Sequence, residues 1–280
     1  MLPAGFDLSA FVKATLEEDV GSGDVTSTAV VPVDMRFSAH MRAREVMVVA
    51  GLGVAAAFFN ALDPDAQIEI LADEGAPVAV GATLMTINGK ARALLTAERA
   101  ALNTVQHLSG IATLTRAYVD AMAGTGCTLL DTRKTIPGLR LLEKYATRMG
   151  GAQNYRMGLW DAAMIKDNHV AVAGGVTEAV RRAKAAGVAK IILEVDRIDQ
   201  IEPGIAAGAT QLLLDNMDVP TLSAAVALVA GRVPTEASGG VTRDTIRAKA
   251  ETGVTFISVG RITQSAPAVD IGLDFGIDSG

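Results

Sequence analysis

Between Asp131 and Val170 the chain reads DTRKTIPGLRLLEKYATRMGGAQNYRMGLWDAAMIKDNHV. Arg133, Lys134, Arg140, Arg156 and Lys166 stand there among glycines, a Pro-Gly turn and short apolar runs, not along a solvated helix face. Arginine and lysine are hard to bury unless an anion pairs with them. Several cations beside Gly-rich turns therefore point to a pocket for a small polyanion, the arginine fork matching carboxylate and phosphate oxygens. A run of charge is usually plain surface, and Glu143 is at hand as a surface partner for Arg133 or Lys134. The cluster needs support from the elements around it.

That support is a repeat. Short apolar runs ending in polar residues recur as CTLLD (127–131), AAMIKD (162–167), AKIILEVD (189–196), TQLLLDN (210–216), RVPTEASGG (232–240) and TFISVG (255–260). Glu194, Asp215, Glu236 and Ser258 follow one another at 21, 21 and 22 positions, with Ala-rich helical segments at 198–207, 220–230 and 242–252 between them. Strand, loop, helix and short return at that period describe a (β/α) barrel, with an open doubly wound sheet as the structural alternative. Pro220 suits a first helical turn and Asp218 its cap. In either architecture the polar residues at the carboxyl ends of the strands face the ligand crevice. Asp131, Lys166, Glu194, Asp215 and the Ser238-Gly239-Gly240 turn are expected on one rim, with Arg133 and Lys134 following the first strand.

Glu194 or Asp215 alone reads equally well as an ordinary strand-end cap. One repeat apart on the same rim, they point to Mg²⁺, which needs one or two carboxylates plus substrate oxygens. The Gly-rich EASGGVT turn is common by itself. At the end of a late barrel strand, before a helix capped by Thr242, its N–H groups form a phosphate cradle, and Gly260 in SVGRI offers a second close approach. Tyr155 takes a pocket role only from its neighbours. His169 reads as a cap for the loop after Lys166, and His40 and His107 as structural. Arg99 reads as a surface residue of a helix.

The N-terminal third differs. Residues 6–18 have helical spacing, 19–28 are turn-rich, and 30–100 read mainly as half-exposed antiparallel strands around one helix at 54–63. Residues 97–123 return to helical spacing as a connector. Of 280 residues half are hydrophobic and 4% aromatic, which suits an aliphatic core of helices and parallel strands. A net charge of −6 leaves no basic field for nucleic acid. The lone Cys127 excludes an intrachain disulfide and packs as a small apolar residue. No apolar run reaches membrane-spanning length, and the start of the chain carries no basic-then-apolar leader pattern. A soluble cytoplasmic protein is expected.

The motifs now resemble a family. LEEDVGSGDVTS (16–27), AERAALNTVQHLSGIAT (97–113), DTRKTIPGLRLLEKYA (131–146), GLWDAAMIKDNHV, LEVD, LLLDNMD, EASGGVT and ISVGRITQSAPAVDIGLDF together resemble quinolinate phosphoribosyltransferases, nearly end to end. The resemblance implies an α/β fold: an N-terminal α/β sandwich domain (1–108), an incomplete seven-stranded (β/α) barrel (109–268) and a tail (269–280) returning to the first domain. It implies phosphoribosyl transfer from phosphoribosyl pyrophosphate to quinolinate, giving nicotinate mononucleotide, pyrophosphate and CO₂. It also implies Mg²⁺ as cofactor and a homodimer in which Arg99 is donated to the partner's site. By matching motif, Arg133, Arg156 and Lys166 resemble the residues holding the quinolinate carboxylates. Lys134, Glu194 and Asp215 resemble the catalytic residues around ribose, pyrophosphate and metal, the two acids being the metal ligands. Ser238, Gly239, Gly240 and Gly260 resemble the 5-phosphate cradle.

Two positions depart from the pattern. Tyr155 stands where the family usually has histidine, and Gln264 likewise, with Arg261 in place of a small residue. Both substitutes hydrogen-bond and join the expected substrate contacts, but neither carries an imidazolium charge. They leave two rival expectations: a paralogous phosphoribosyltransferase for another aromatic acid, of the molybdenum-transport-associated type, and a non-catalytic anion-binding regulator on the same fold.

Overall fold

The computed structural model describes Pro3 and residues 5–276. The chain begins with α1 (Leu8–Val20), whose first turn is closed by Asp7 accepting the Ala10 N–H at 2.9 Å. Next comes α2 (Val25–Val30), a helix inside the stretch expected to be only turn. Its β-branched sequence hides it. The capping carboxylate of Asp24 accepts from Ser27 N and, at 2.9 Å, from the Thr96 hydroxyl, so a distant contact helps fix a helix that propensity does not favour. Then follow β1 (Arg36–Ala43), β2 (Met47–Val48), α3 (Leu52–Leu62), β3 (Gln67–Ile70), β4 (Pro77–Val78), β5 (Thr83–Lys90) and α4 (Ala91–Ala121).

Alternation in β1 turns Ala39, Met41 and Ala43 inward, where they meet Phe58 and Phe59 of α3 and Leu94, Leu108 and Ile111 of α4. Glu74 closes the amino end of α3, accepting from Gly51 N and Leu52 N at 2.8 Å each.

The rest of the chain is the repeat: β6 (Thr128–Leu130), α5 (Arg140–Met149), β7 (Ala163–Ile165), α6 (Asp167–Ala173), α7 (Val176–Ala185), β8 (Ile191–Val195), α8 (Ile201–Ala207), β9 (Gln211–Asp215), α9 (Val219–Val229), β10 (Thr235–Ser238), α10 (Arg243–Ala250), β11 (Phe256–Ser258), α11 (Arg261–Gln264) and finally β12 (Ile271–Gly276). Six strands make one parallel sheet in the order β6-β11-β10-β9-β8-β7. The edge at β6 carries one further parallel bridge, Leu130 to Gln153, where a seventh strand would add. The α/β class is as expected, with six parallel strands and one isolated bridge among the described residues where the resemblance implies seven strands. Asp218 and Pro220 open α9 and Thr242 precedes α10, both in their expected places.

The compact units cut the chain differently from a division at 108/109 and 268/269. The first comprises Met1–Arg116, Pro137–Gly151 and Ser265–Gly280, and the second Ala117–Ile136 and Ala152–Gln264. Helix α5 belongs to the first because Leu142, Tyr145 and Ala146 enter the same core as α3 and α4. An antiparallel sheet ordered β12-β1-β5-β3 organises that unit, with β12 paired to β1 from Ser38–Gly276 to Ala43–Ile271. Residues 277–280 of the tail lie outside the described residues.

Candidate active site: an anion pocket at the strand ends

The register within the parallel sheet decides which side chains meet. Glu194 of β8 pairs with Leu213 of β9, and Leu213 with Glu236 of β10; two residues on, Asp215 pairs with Ser238. Alternate residues share a face, so these five and Ser258 of β11 look the same way. All six line one cavity of about 790 Å³ within the second unit.

Arg133, Lys134, Tyr155, Arg156, Lys166, Glu194, Asp215, Ser238, Gly239, Gly240, Gly260 and Gln264 all line this cavity. Arg99 is exposed on α4 and does not. Arg140 sits at the start of α5 in the first unit.

Asp131 corrects an expectation. It is fully buried and not on the rim. Its carboxylate accepts from Tyr155 N and Asn154 Nδ2 at 2.7 Å each, so it anchors the backbone that delivers Tyr155 and Arg156. Glu143 is likewise no surface partner for Arg133: it is buried and meets His107 at 2.9 Å. His169 does cap its loop, its Nδ1 accepting from Lys166 N at 3.0 Å.

One end of the cavity is cationic. Arg156 is only 9% exposed, and its guanidinium donates to Ala162 O at 3.0 Å and to the Met164 sulfur at 3.2 Å. Burial, together with the nearby Arg133 charge, pulls its pKa below the usual arginine value. Arginine keeps its charge even so. Arg133 Nε is buried without a hydrogen-bond partner, and among the described residues neither guanidinium has a carboxylate bonded to it. Two neighbouring guanidinium groups left in this way favour an incoming anion with more than one oxygen pair. Lys166 Nζ, by contrast, is already paired with Glu194 Oε2 at 2.6 Å.

The other end is built from backbone. Gly239 and Gly240 have φ of +87° and +62°, and a Cβ on Gly239 would lie 2.0 Å from Asn216 Oδ1. Only glycine turns the chain here, and its N–H groups lie just before the amino end of α10. Gly260 lets Lys134 lie against the backbone: a Cβ there would come 2.6 Å from Lys134 Cδ. Thr263 Oγ1 donates to Lys134 O at 2.6 Å and holds that loop. Asp215 Oδ2 accepts from Asn216 Nδ2 at 2.6 Å, and Lys249 Nζ donates to Met217 O at 2.8 Å, pinning the turn that carries Asp215.

Asn216 and Gln211 escaped the motif reading, and Glu236 was placed in the repeat but given no role in the site. Glu236 is fully buried, accepts from Gln211 Nε2 at 2.8 Å through Oε2, and has no hydrogen bond at Oε1. Burial pushes its carboxyl above the usual range, against the opposing pull of nearby Ser258, Tyr155, Gln211 and Arg156. The available signals were a Gln opening the apolar run of β9 and the 21-residue spacing that puts Glu236 in the repeat.

A parallel α/β barrel that opens cations, two acids and a glycine cradle onto one crevice defines a protein that binds phosphorylated or polycarboxylate small molecules at its strand ends. Residues 24–109 match the N-terminal domain of quinolinate phosphoribosyl transferase and 111–274 its C-terminal domain. The chain belongs to the quinolinate phosphoribosyltransferase family. It is 42% identical to a probable nicotinate-nucleotide pyrophosphorylase (carboxylating) of Synechocystis, over 97% of this chain and 94% of the relative. It is 41% identical to quinolinate phosphoribosyltransferase (decarboxylating) 1b of Nicotiana tabacum, over 96% and 82%. Among solved structures, the nicotinate-nucleotide pyrophosphorylase of Francisella tularensis superposes with a TM-score of 0.92 at 40% identity, covering 96% of each chain. NadC from Streptococcus pyogenes gives 0.94 at 37%, covering 99% and 100%.

Proposed function

We propose that this protein transfers the phosphoribosyl group of phosphoribosyl pyrophosphate to the ring nitrogen of quinolinate and releases the adjacent carboxylate as CO₂, a step of NAD biosynthesis. The observation that carries the assignment is the Arg133–Arg156 pair: two guanidinium groups to which, among the described residues, no carboxylate is hydrogen-bonded, at one end of a cavity whose other end is a glycine cradle. A ring with two adjacent carboxylates supplies the missing anions. In this reading Arg133 and Arg156, with Lys166, hold the diacid. Ser238, Gly239, Gly240 and Gly260 receive the 5-phosphate.

Both substrates are anionic, so fixed cations must hold them together against mutual repulsion. The C1′–oxygen bond to pyrophosphate breaks with its electron pair on the leaving oxygen, while the ring nitrogen bonds to C1′ through an oxocarbenium-like state. Lys134, which lines the same cavity, would stabilise charge developing on the leaving group. The carboxylate beside the now cationic nitrogen then leaves as CO₂. Its electron pair stays on the ring carbon until a proton replaces it. Arg133 and Arg156 keep that carboxylate in place during the first step.

Glu194 and Asp215 are hard oxygen donors on one face, and among the described residues no group of three or more His, Cys, Asp or Glu could hold a metal. Two carboxylates fit Mg²⁺ held largely by substrate oxygens. Bound there, Mg²⁺ would supply charge stabilisation to the pyrophosphate. Glu194 and Asp215 would hold it, with Lys166 fixing the Glu194 carboxylate. Exposed Arg99 suits donation to a second copy, and we place it in the partner's site of a homodimer.

No helix among the described residues is long and apolar enough to cross a membrane. The single cysteine, half-buried with its thiol pushed up to about 12 by burial, suits a reducing compartment, and we assign the protein to the cytoplasm.

Pyrophosphate release with quinolinate, nicotinate and phthalate side by side tests the assignment. Release and CO₂ formation with quinolinate alone are expected. Phthalate lacks the nucleophilic nitrogen and nicotinate the second carboxylate, so turnover of nicotinate at a similar rate would overturn the roles of Arg133 and Arg156.

A further inference from the structure

Tyr155 lines the cavity, yet its hydroxyl is already engaged by a buried side chain. Gln211 Nε2 donates to Tyr155 Oη at 3.0 Å and to Glu236 Oε2 at 2.8 Å, so both amide hydrogens of a buried glutamine are in use. Glu236 is itself fully buried. The Tyr155 backbone is tied as well, its N–H donating to Asp131 Oδ1 at 2.7 Å. The ring packs on the small apolar plug formed by Ala162, Ile192 and Leu213. Lys190 Nζ lies over the ring, 5.4 Å from its centroid.

Lys190 stands at the other end of the strands from the cavity residues. Lys190 immediately precedes β8, at the amino-terminal foot of the strands, whereas the cavity residues Glu194 and Asp215 stand at their carboxyl ends. Lys190 therefore covers the ring from the foot of the strands, while Tyr155 still lines the cavity. A side chain held at its backbone, its hydroxyl and one face is a rigid platform. Flat aromatic rings gain on such a surface through offset stacking.

We infer that the Tyr155 ring is the surface on which the flat ring of the substrate acid stacks, which makes Tyr155 a specificity-determining residue that reads aromaticity while Arg133 and Arg156 read charge. Gln211 and Glu236 are positioning residues that act through the tyrosine. The inference rests on the quinolinate reading above. It differs from a role in which the hydroxyl bonds a substrate carboxylate, because that hydroxyl is committed to the buried network.

Calorimetry with two diacids tests it without needing turnover. Phthalate is flat and aromatic; cis-cyclohexane-1,2-dicarboxylate has the same two neighbouring carboxylates on a puckered ring. The wild-type protein is expected to bind phthalate at least about fivefold more tightly. Tyr155→Ala and Tyr155→Leu are expected to bring the two within about twofold, and Tyr155→Phe to restore the preference. Phosphoribosyl pyrophosphate binding, measured in parallel, verifies that each variant keeps its pocket; Tyr155→Leu preserves bulk should the alanine variant fail to fold. A preference absent from wild type, a preference that survives in Tyr155→Leu, or one lost equally in Tyr155→Phe would overturn the inference. Wild-type protein that shows the preference but does not turn over quinolinate would remove the functional reading and leave the stacking surface. Turnover without the preference would do the reverse.

Discussion

A guanidinium as buried as that of Arg156 costs several kcal/mol to desolvate unless it is paired. The Ala162 carbonyl accepts from the guanidinium without neutralising it, and the charges of Asp161 and Glu236 only partly offset its burial. The buried acid nearby titrates in a direction that can be checked. The carboxyl of Glu236 is raised by burial above its ordinary value of 4.5. Below that value the group is neutral in both folded and unfolded chains, so its stability contribution is fully present; the contribution falls as pH climbs through the raised folded value. Glu236→Gln is therefore expected to melt progressively higher than wild type as pH rises from about 4.5 to 8, on the same burial argument. Melting curves of both proteins across that range decide it, and a constant difference would show that burial does not govern this carboxyl. At this scale the surface-averse cations were legible, because arginine and lysine among glycines and apolar runs have few structural uses. Asp131, Gln211 and Glu236 were not assignable. In strands of three to five residues a single step of register moves a side chain from rim to floor or from cavity to exterior, and only the paired strands fix that step.

The recurring strands were readable from spacing alone, since 21 to 22 residues between polar strand ends leave room for one helix and two short loops. Helix α2 was not: its sequence VTSTAV favours extended backbone, and the cap formed by Asp24 with help from Thr96 outweighs that preference. The turn between β10 and α10 is where element geometry meets chemistry. Alanine at Gly239 would adopt φ +87° and push on Asn216, which orients Asp215. The left-handed backbone alone costs about 1–2 kcal/mol for a residue with a Cβ. Gly239→Ala is expected to raise the KM for phosphoribosyl pyrophosphate at least about tenfold, while phthalate binding stays within about threefold. Steady-state kinetics beside phthalate calorimetry separate the two ends. An unaltered KM for the sugar diphosphate would remove the cradle from its assigned place.

For the molecule as a whole, the family and the α/β class followed from motifs that run nearly end to end. Arg99 illustrates what a single chain leaves out: nothing in its own helix distinguishes it from an ordinary exposed arginine. If two copies share sites, Arg99→Ala and Arg133→Ala subunits, each inactive alone, should recover on mixing. Random reassortment makes half of the dimers mixed, each with one complete site, so roughly a quarter of wild-type activity is expected. No recovery after verified subunit exchange would count against a donated arginine. The grip of the two guanidinium groups on the diacid is read by paired KM values in wild type and Arg156→Ala. Loss of a charge-assisted fork worth about 3 kcal/mol should raise the KM for quinolinate by about 100-fold or more while that for phosphoribosyl pyrophosphate stays within about threefold. A quinolinate KM that does not move would contradict the assignment.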